Sequence, residues 1–463
     1  MVVTALIWVV APIVLGCLVV NRFASLSAVR PSWARRALIF GAGTIAGIAL
    51  TSVLFFLCST LLGTRAAALG LEIAALAWAG YEAFRRRTPA SPPAKEKQAW
   101  LLISIAAIGL LVALVVATEA MATSWDGNPQ GDWDAWAIWN LRARFLASGG
   151  ALAQRAWSAV LGANTHAEYP LLLSSFVARC WAFSHSFSSA VPAATSYAFF
   201  LALIALVGGG VAALRSPTLG LLAAMVLAST PALLHQVPNQ YADVPLACYI
   251  AGAIVFALLE RPALAGILAG CAAWTKDEGA LFLAVLVAVT VAWKRRAALA
   301  TIAGAAPLAA LVVIFKTWLA RGNASLLSTS LPGAGKRIVD AGRYGTTLAA
   351  FGRQFVSLGI GWYHPILPLL VLALVLRFDR QRRRDAAYCS MLVGFFLLGA
   401  FGIYILTNND LTWQLQTSLN RVLVQVWPAI VLAGFVGLRV PQAPMAAEPV
   451  PASSAKARRK GRR

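Results

Sequence analysis

Two carboxylates, three tryptophans and two arginines crowd into GDWDAWAIWNLRARF, residues 131–145, between long apolar stretches. Asp132 and Asp134 precede a run with helical potential, because Asp134, Ile138, Leu141 and Phe145 recur at about the spacing of one helix face. An acid at a helix start has two uses. It can be an N-cap, accepting the orphan backbone N–H groups of the first turn. The same positive helix end keeps a carboxylate ionised, and an ionised carboxylate can take a proton or hold a metal ion.

Further polar groups follow in short strings: HAEYP with His166, Glu168 and Tyr169; NQYADVP with Asp243; WTKDEG with Lys276, Asp277 and Glu278; and TNNDLTWQLQTSLNR with Asp410 and Arg421. Arg321, Lys336, Arg337 and Arg343 form a basic stretch before the last of these. Each has an ordinary explanation. Asp243 heads an apolar run and fits a first-turn acid. Lys276, Asp277 and Glu278 fit a solvated turn, and Arg421 fits an interface marker at the start of the last apolar run. His166 and His364 lack an i, i+4 partner for a metal pair. Trp133, Trp136 and Trp139 are what a membrane-interface belt contains.

The elements that must position these groups are dictated by composition. The chain has 463 residues, 60% hydrophobic and 12% charged, too apolar for an ordinary soluble enzyme. Apolar runs of about 20 residues, enough to cross a bilayer, recur along nearly the whole length. We therefore expect an all-α polytopic membrane protein with about thirteen transmembrane helices. Spans are expected near 2–20, 37–62, 66–84, 98–118, 190–213, 217–235, 242–259, 262–275, 279–293, 298–319, 353–376, 386–407 and 421–438. Segment 119–189 is expected to lie outside as a large loop with interfacial helices.

The net charge of +22 does not point to nucleic acid. Runs such as Arg85, Arg86, Arg87 and Arg382, Arg383, Arg384 fall in short connections, where basic residues set orientation toward the cytoplasm. The end of the chain, KARRKGRR, is a solvated basic tail suited to anionic lipid. On this map the unusual polar residues gather at the outer face. The six cysteines mostly lie inside apolar runs and suggest neither disulfides nor a zinc site. No Gly-rich dinucleotide or P-loop signature stands between strand and helix.

In order, GDWDAWAIW, HAEYPLLLS, YADVPLA, WTKDEG and TSLNRVLVQVWP resemble landmarks of the GT-C superfamily of membrane glycosyltransferases. The similarity is nearest to the bacterial branch of lipid A aminoarabinose transferases and lipopolysaccharide-core galacturonosyltransferases, with protein O-mannosyltransferases more distant. It covers residues from about 98 to 438. Residues 1–97 then form a three-span extension, 98–438 the catalytic membrane domain, and 439–463 the cytoplasmic tail.

The resemblance implies inverting transfer of one sugar from a polyprenyl-phosphate carrier to an acceptor at the periplasmic face of a bacterial inner membrane; with no large soluble domain in the sequence, we expect that acceptor to be a lipid or glycan and the enzyme a monomer. It maps the family's loop acid onto Asp134 and a second external acid onto Asp243, and in the aminoarabinose group these positions are associated with a divalent cation. The family pattern often has a second acid directly after the first. Here Ala135 follows Asp134 and the extra acid is Asp132, so the base is left between Asp132 and Asp134. Arg421, Lys276, Arg337 and Arg343 are candidates for the donor phosphate. Glu168, Tyr169, Trp136, Asp277 and Glu278 are candidates for substrate binding. A lipid-linked sugar transporter and an O-antigen-ligase-like enzyme are the rival expectations.

Overall fold

A computed structural model describes residues 2–85, 100–323, 325–358 and 365–440. Arg86, Arg87, residues 98 and 99 of the expected fourth span, His364 and the tail from Pro441 lie outside the described residues.

The described chain is built from 20 α-helices joined by short turns and single 3-10 or π turns. The first four are α1 (Val2–Phe23), α2 (Ser32–Leu61), α3 (Arg65–Arg85) and α4 (Trp100–Gly127). A loop region follows with α5 (Asn140–Ser148) and α6 (Gly150–Ala153), then α7 (Leu172–Ser184) and α8 (Ala190–Leu214). The middle contains α9 (Pro217–Ala228), α10 (Pro231–Gln236), α11 (Asp243–Leu258), α12 (Pro262–Thr275), α13 (Asp277–Trp293) and α14 (Arg295–Ile314). The last third holds α15 (Leu326–Ser330), α16 (Ala334–Ile338), α17 (Ala341–Ser357), α18 (Ile366–Leu376), α19 (Arg383–Leu406) and α20 (Leu411–Gly437).

Seven of these helices are long and apolar enough to cross a membrane. The surface supports that environment: α4 exposes Leu101, Ile105, Ile108, Leu111, Val112 and Val115, a face that water would not tolerate at this size. Helix boundaries follow local chemistry. Pro217 opens α9 with the Ser216 hydroxyl accepting from the Leu219 N–H, and Asp410 caps α20 by accepting from the Trp413 N–H at 2.7 Å.

Four expectations change. The run at 217–235 breaks into α9 and α10, because Pro231 cannot continue the helix before it and instead begins the next. The run at 353–376 is divided between α17 and α18. α17 is amphipathic, with Arg343 and Arg353 among Leu348, Phe351 and Val356, and α18 has 11 residues, about half of a bilayer crossing. Segment 119–189 contains α7, an apolar helix buried against α1 and α2. The final helix starts at Leu411, ten residues before Arg421, so Arg421 sits in its middle and does not mark its start.

The N-terminal helices belong to the same packed core as the rest. Phe56 of α2 lies against Trp157, Trp274 and Phe315, the Tyr249 hydroxyl donates to the Ile45 carbonyl at 3.0 Å, and the Ser52 hydroxyl donates to the Leu172 carbonyl. The mid-helix acid Glu72 is paired with Arg179 of α7, which also donates to the Trp8 carbonyl. A buried ion pair of this kind is tolerated because each partner neutralises the other.

Connections collect into two sets. Arg261 donates to Ala24 and Ser25, Arg215 holds Asp379 and the Leu438 carbonyl, and Lys294 holds Glu260. These are the connections expected inside. At the other end Asn323 reaches the Trp157 carbonyl, Lys316 reaches Asp277, and Ser330 reaches Asn408. The polar strings of the sequence lie in this second set.

Candidate functional site

Asp243 is the first residue of α11 and is completely buried. A buried carboxylate needs donors on both oxygens, and it has them. Oδ1 accepts from Lys276 Nζ at 3.0 Å and from Gln425 Nε2 at 2.6 Å, while Oδ2 accepts from Arg421 Nε at 2.8 Å. Arg421 then extends its other edge to Asp134, donating from Nη2 to Oδ2 at 2.5 Å. Lys276 also meets Glu278 at 2.9 Å, and Gln425 lies 3.5 Å from the same carboxylate. Four segments distant in sequence therefore converge on one charged knot.

Each member is placed by its element. Lys276 is the residue between α12 and α13, a sharp corner that turns its side chain back under α11. Arg421 and Gln425 are one helical turn apart on α20 and share a face with Gln414 and Ser418. Asp134 is positioned by its approach to the start of α11: the Asp132 N–H donates to the Asn239 carbonyl, Asn140 donates to Gln240, and Gln240 donates to the Pro129 carbonyl. Gly131 has a φ of +73° and passes close to the Asn239 carbonyl, where a side chain would not fit.

The helix begun at Trp133 takes a π turn over Ala135–Trp139 before continuing as α5. Among the residues it buries are Ile138, Trp139, Arg142, Ala143 and Leu146, of which only Ile138 belongs to the 134, 138, 141 and 145 spacing. π turns are frequent at functional sites. Ahead of this one, Asp134 sits at the knot and Asp132 outside it. Asp132 is exposed, its side chain accepts from the Trp133 N–H at 2.7 Å, and its carbonyl accepts the Ala135 N–H, so it serves as the helix cap.

The remaining expected site residues divide in two. Glu168 and Tyr169 are brought toward the knot: Tyr169 is stacked between His166 at 4.6 Å and Trp139 at 5.8 Å, and His166 contacts Glu168 at 3.0 Å. Burial, reinforced by the carboxylates of Glu278, Asp277 and Glu168, holds the Tyr169 phenol well above its ordinary range. Arg142 fixes this loop by donating to the carbonyls of Ala156, His166, Ala167 and Tyr169. Asp277 is held by Lys316 at 2.6 Å. Trp136 is half-exposed and packs edge-on with Trp133.

Arg337 and Arg343 are not brought to the knot. Arg337 donates to the carbonyls of Leu406, Ser330 and Pro332, and Arg343 to those of Tyr404, Ile405 and Thr407. Both cap the C-terminal end of α19, where a cation is favoured by the exposed carbonyls. Expected phosphate binders thus spend their Nε and Nη2 donors on backbone.

A divalent ion shared by Asp134 and Asp243 does not fit this arrangement. The Arg421 guanidinium stands between the two carboxylates, and every oxygen of Asp243 already accepts from a protein donor. No cluster of three or more metal-ligating side chains occurs among the described residues.

Two members of the site were not singled out from the sequence. Tyr241 lies under Arg421, whose guanidinium carbon is 4.5 Å from the ring centre. Burial, together with the Asp134 and Asp132 carboxylates, pushes its phenol up from the usual value. Gln425 follows Arg421 at i+4, and that spacing was the available signal. In searches of protein-family models, curated proteins and solved structures, nothing matches this chain.

Proposed function

We propose that the chain is an inverting glycosyltransferase of the bacterial inner membrane, moving one sugar from a polyprenyl-phosphate donor to a lipid or glycan acceptor at the periplasmic face. The observation that carries this is Arg421 bridging Asp134 and Asp243, which couples a carboxylate able to take a proton to a cation able to hold a phosphate. In this reading the shorter apolar helices add crossings to the seven long ones, toward the thirteen of the sequence map. The lipid tail of the donor lies along apolar helix faces, so no nucleotide-binding fold is needed.

The chemistry follows from the contacts. The acceptor hydroxyl gives its proton to Asp134 as its oxygen bonds to the anomeric carbon, opposite the phosphate. The bond from that carbon to the phosphate oxygen breaks, and the electron pair leaves with polyprenyl phosphate. At rest three carboxylates, Asp134, Asp243 and Glu278, face two cations, Lys276 and Arg421, so neither cation is free. Protonation of Asp134 removes one partner of Arg421 at the moment the phosphate gains charge. The guanidinium then exchanges a carboxylate for the leaving group, a fixed donor acting where charge develops. Asp243 is a positioning residue that holds Arg421, Lys276 and Gln425.

The test is donor consumption by the purified chain in lipid discs, given a panel of polyprenyl-phosphate sugars and a lipid extract as acceptor. Asp134→Asn, with its unfolding transition intact, is expected to lose about 10²-fold or more, the usual contribution of a general base. Near-normal turnover in that variant overturns the base. Donor that moves between leaflets without being consumed overturns transfer in favour of transport.

A further inference from the structure

At the opposite end of the bundle from the Asp243 knot, a cavity of about 420 Å³ lies among residues 25–31, the α8–α9 junction and the α11–α12 junction. We infer that it binds a phosphate group, carried by an anionic lipid headgroup or free in solution. Arg30, Arg215 and Arg261 line it, and no acidic residue does; Arg261 contributes charge alone, because its Nε, Nη1 and Nη2 donate to the carbonyls of Ala24, Glu260 and Ser25.

Three helices also begin on its wall: α2 behind Pro31, α9 at Pro217 and α12 behind Arg261. Helix N-termini present unpaired N–H groups and partial positive charge, the usual setting for a bound phosphate. The C-terminal ends of α8 and α11 reach the cavity as well and offset part of that field. The arginines tip the balance.

Arg215 supplies the sharper evidence. Its side chain is only 4% exposed, and its Nη2 holds both Asp379, at 2.7 Å, and the Leu438 carbonyl. Its Nε is buried with no partner. A buried guanidinium donor is rarely left unmatched, because its lost hydration is not replaced. Arg30 is exposed and commits Nη1 to the carbonyls of Ser27 and Val29, which leaves the rest of its planar fork available. The acids nearby are already engaged, Asp379 with Arg215 and Glu260 with Lys294. Arginines in short connections ordinarily set orientation from exposed positions; Arg215 instead is buried, lines the cavity and keeps one donor unmatched, which asks for a ligand. Fork geometry suits a phosphate's paired oxygens. Apolar walls from Leu26, Val29 and Leu259 would accommodate the glycerol and first methylenes of a lipid.

The purified full chain is tested with two probes: phosphatidylglycerol against phosphatidylcholine, read as lipid retained in native mass spectrometry, and inorganic phosphate, read as a rise in Tm. Selective retention of phosphatidylglycerol without a response to phosphate assigns a lipid headgroup, and a response to phosphate assigns a site open to the solvent. In either case Arg30→Gln, at an exposed position that leaves the fold intact, is expected to weaken binding about tenfold, the worth of one charge-assisted contact. Arg215→Lys keeps the charge but lacks Nε, and is expected to weaken it as well. The proposal is overturned if neither probe binds, or if binding is unchanged in both variants.

Discussion

Asp243 separates a structural acid from a site residue. An acid in the first turn of a surface helix contributes about 0.3–1 kcal/mol through the dipole. Asp243 instead neutralises two cations inside the protein, and removing one partner of a buried pair typically costs about 3–5 kcal/mol. Asp243→Asn is therefore expected to lower stability by that larger amount, measured by thermal or denaturant unfolding in detergent. A loss under about 1 kcal/mol would mean that Lys276 and Arg421 find other partners, and the positioning role would fall. At this scale the sequence was partly legible. Charged residues in a 60% apolar chain are conspicuous, and Asp134, Lys276 and Arg421 stood out for that reason. Which carboxylate faces Arg421 was not legible, because the choice between Asp132 and Asp134 depends on how the segment docks on the residues before α11, a contact that leaves no periodic mark.

Helix ends and helix faces decide how the remaining charges are used. Arg337 and Arg343 form a basic stretch in a segment expected outside, the setting of an anion binder, yet carbonyls at the end of a helix attract the same cations. Arg337→Ala and Arg343→Ala are each expected to destabilise by about 1.5–3 kcal/mol, the worth of hydrogen bonds to a charged group. In the proposed transfer reaction they should leave the KM for donor unchanged, whereas a phosphate-binding role predicts that KM rises while unfolding stays the same. Stability and KM measured together distinguish the two. The polar stripe of α20 is written in the sequence. Gln414, Ser418, Arg421 and Gln425 repeat on one helix face, and such a stripe in an apolar helix has to be buried against partners. Hydropathy hides it, because the apolar run begins only at 421, past half of the stripe.

Across the whole molecule, hydropathy located most helices but not their partnerships. Apolar composition is shared by every span, so it carries no information on which helix packs against which; in lipid that choice falls to close-packed small residues and to polar pairs. Both are present in the N-terminal helices. Gly16 and Gly47 bring α1 against α2 so closely that a Cβ on either would overlap the facing backbone. Glu72 gives Arg179 its only carboxylate partner among the described residues, Ser52 satisfies the Leu172 carbonyl, and Phe56 fills the space between Trp157, Trp274 and Phe315. A division of the chain at 97 into an extension and a catalytic domain therefore makes a definite prediction. Residues 98–463 expressed alone would leave Arg179 charged and unpaired in an apolar setting, at about 3–5 kcal/mol, and would open a cavity where Phe56 sits, at about 3–5 kcal/mol more. Losses of that size approach the whole stability of a folded domain, roughly 5–15 kcal/mol. The fragment is expected to be polydisperse after extraction and to lack a cooperative unfolding transition, and co-expression of residues 1–97 as a separate chain should restore both. A monodisperse 98–463 fragment unfolding within about 5 °C of the full chain, a shift worth on the order of 1–2 kcal/mol, would show that the first three helices are an accessory and that Arg179 finds its partner elsewhere.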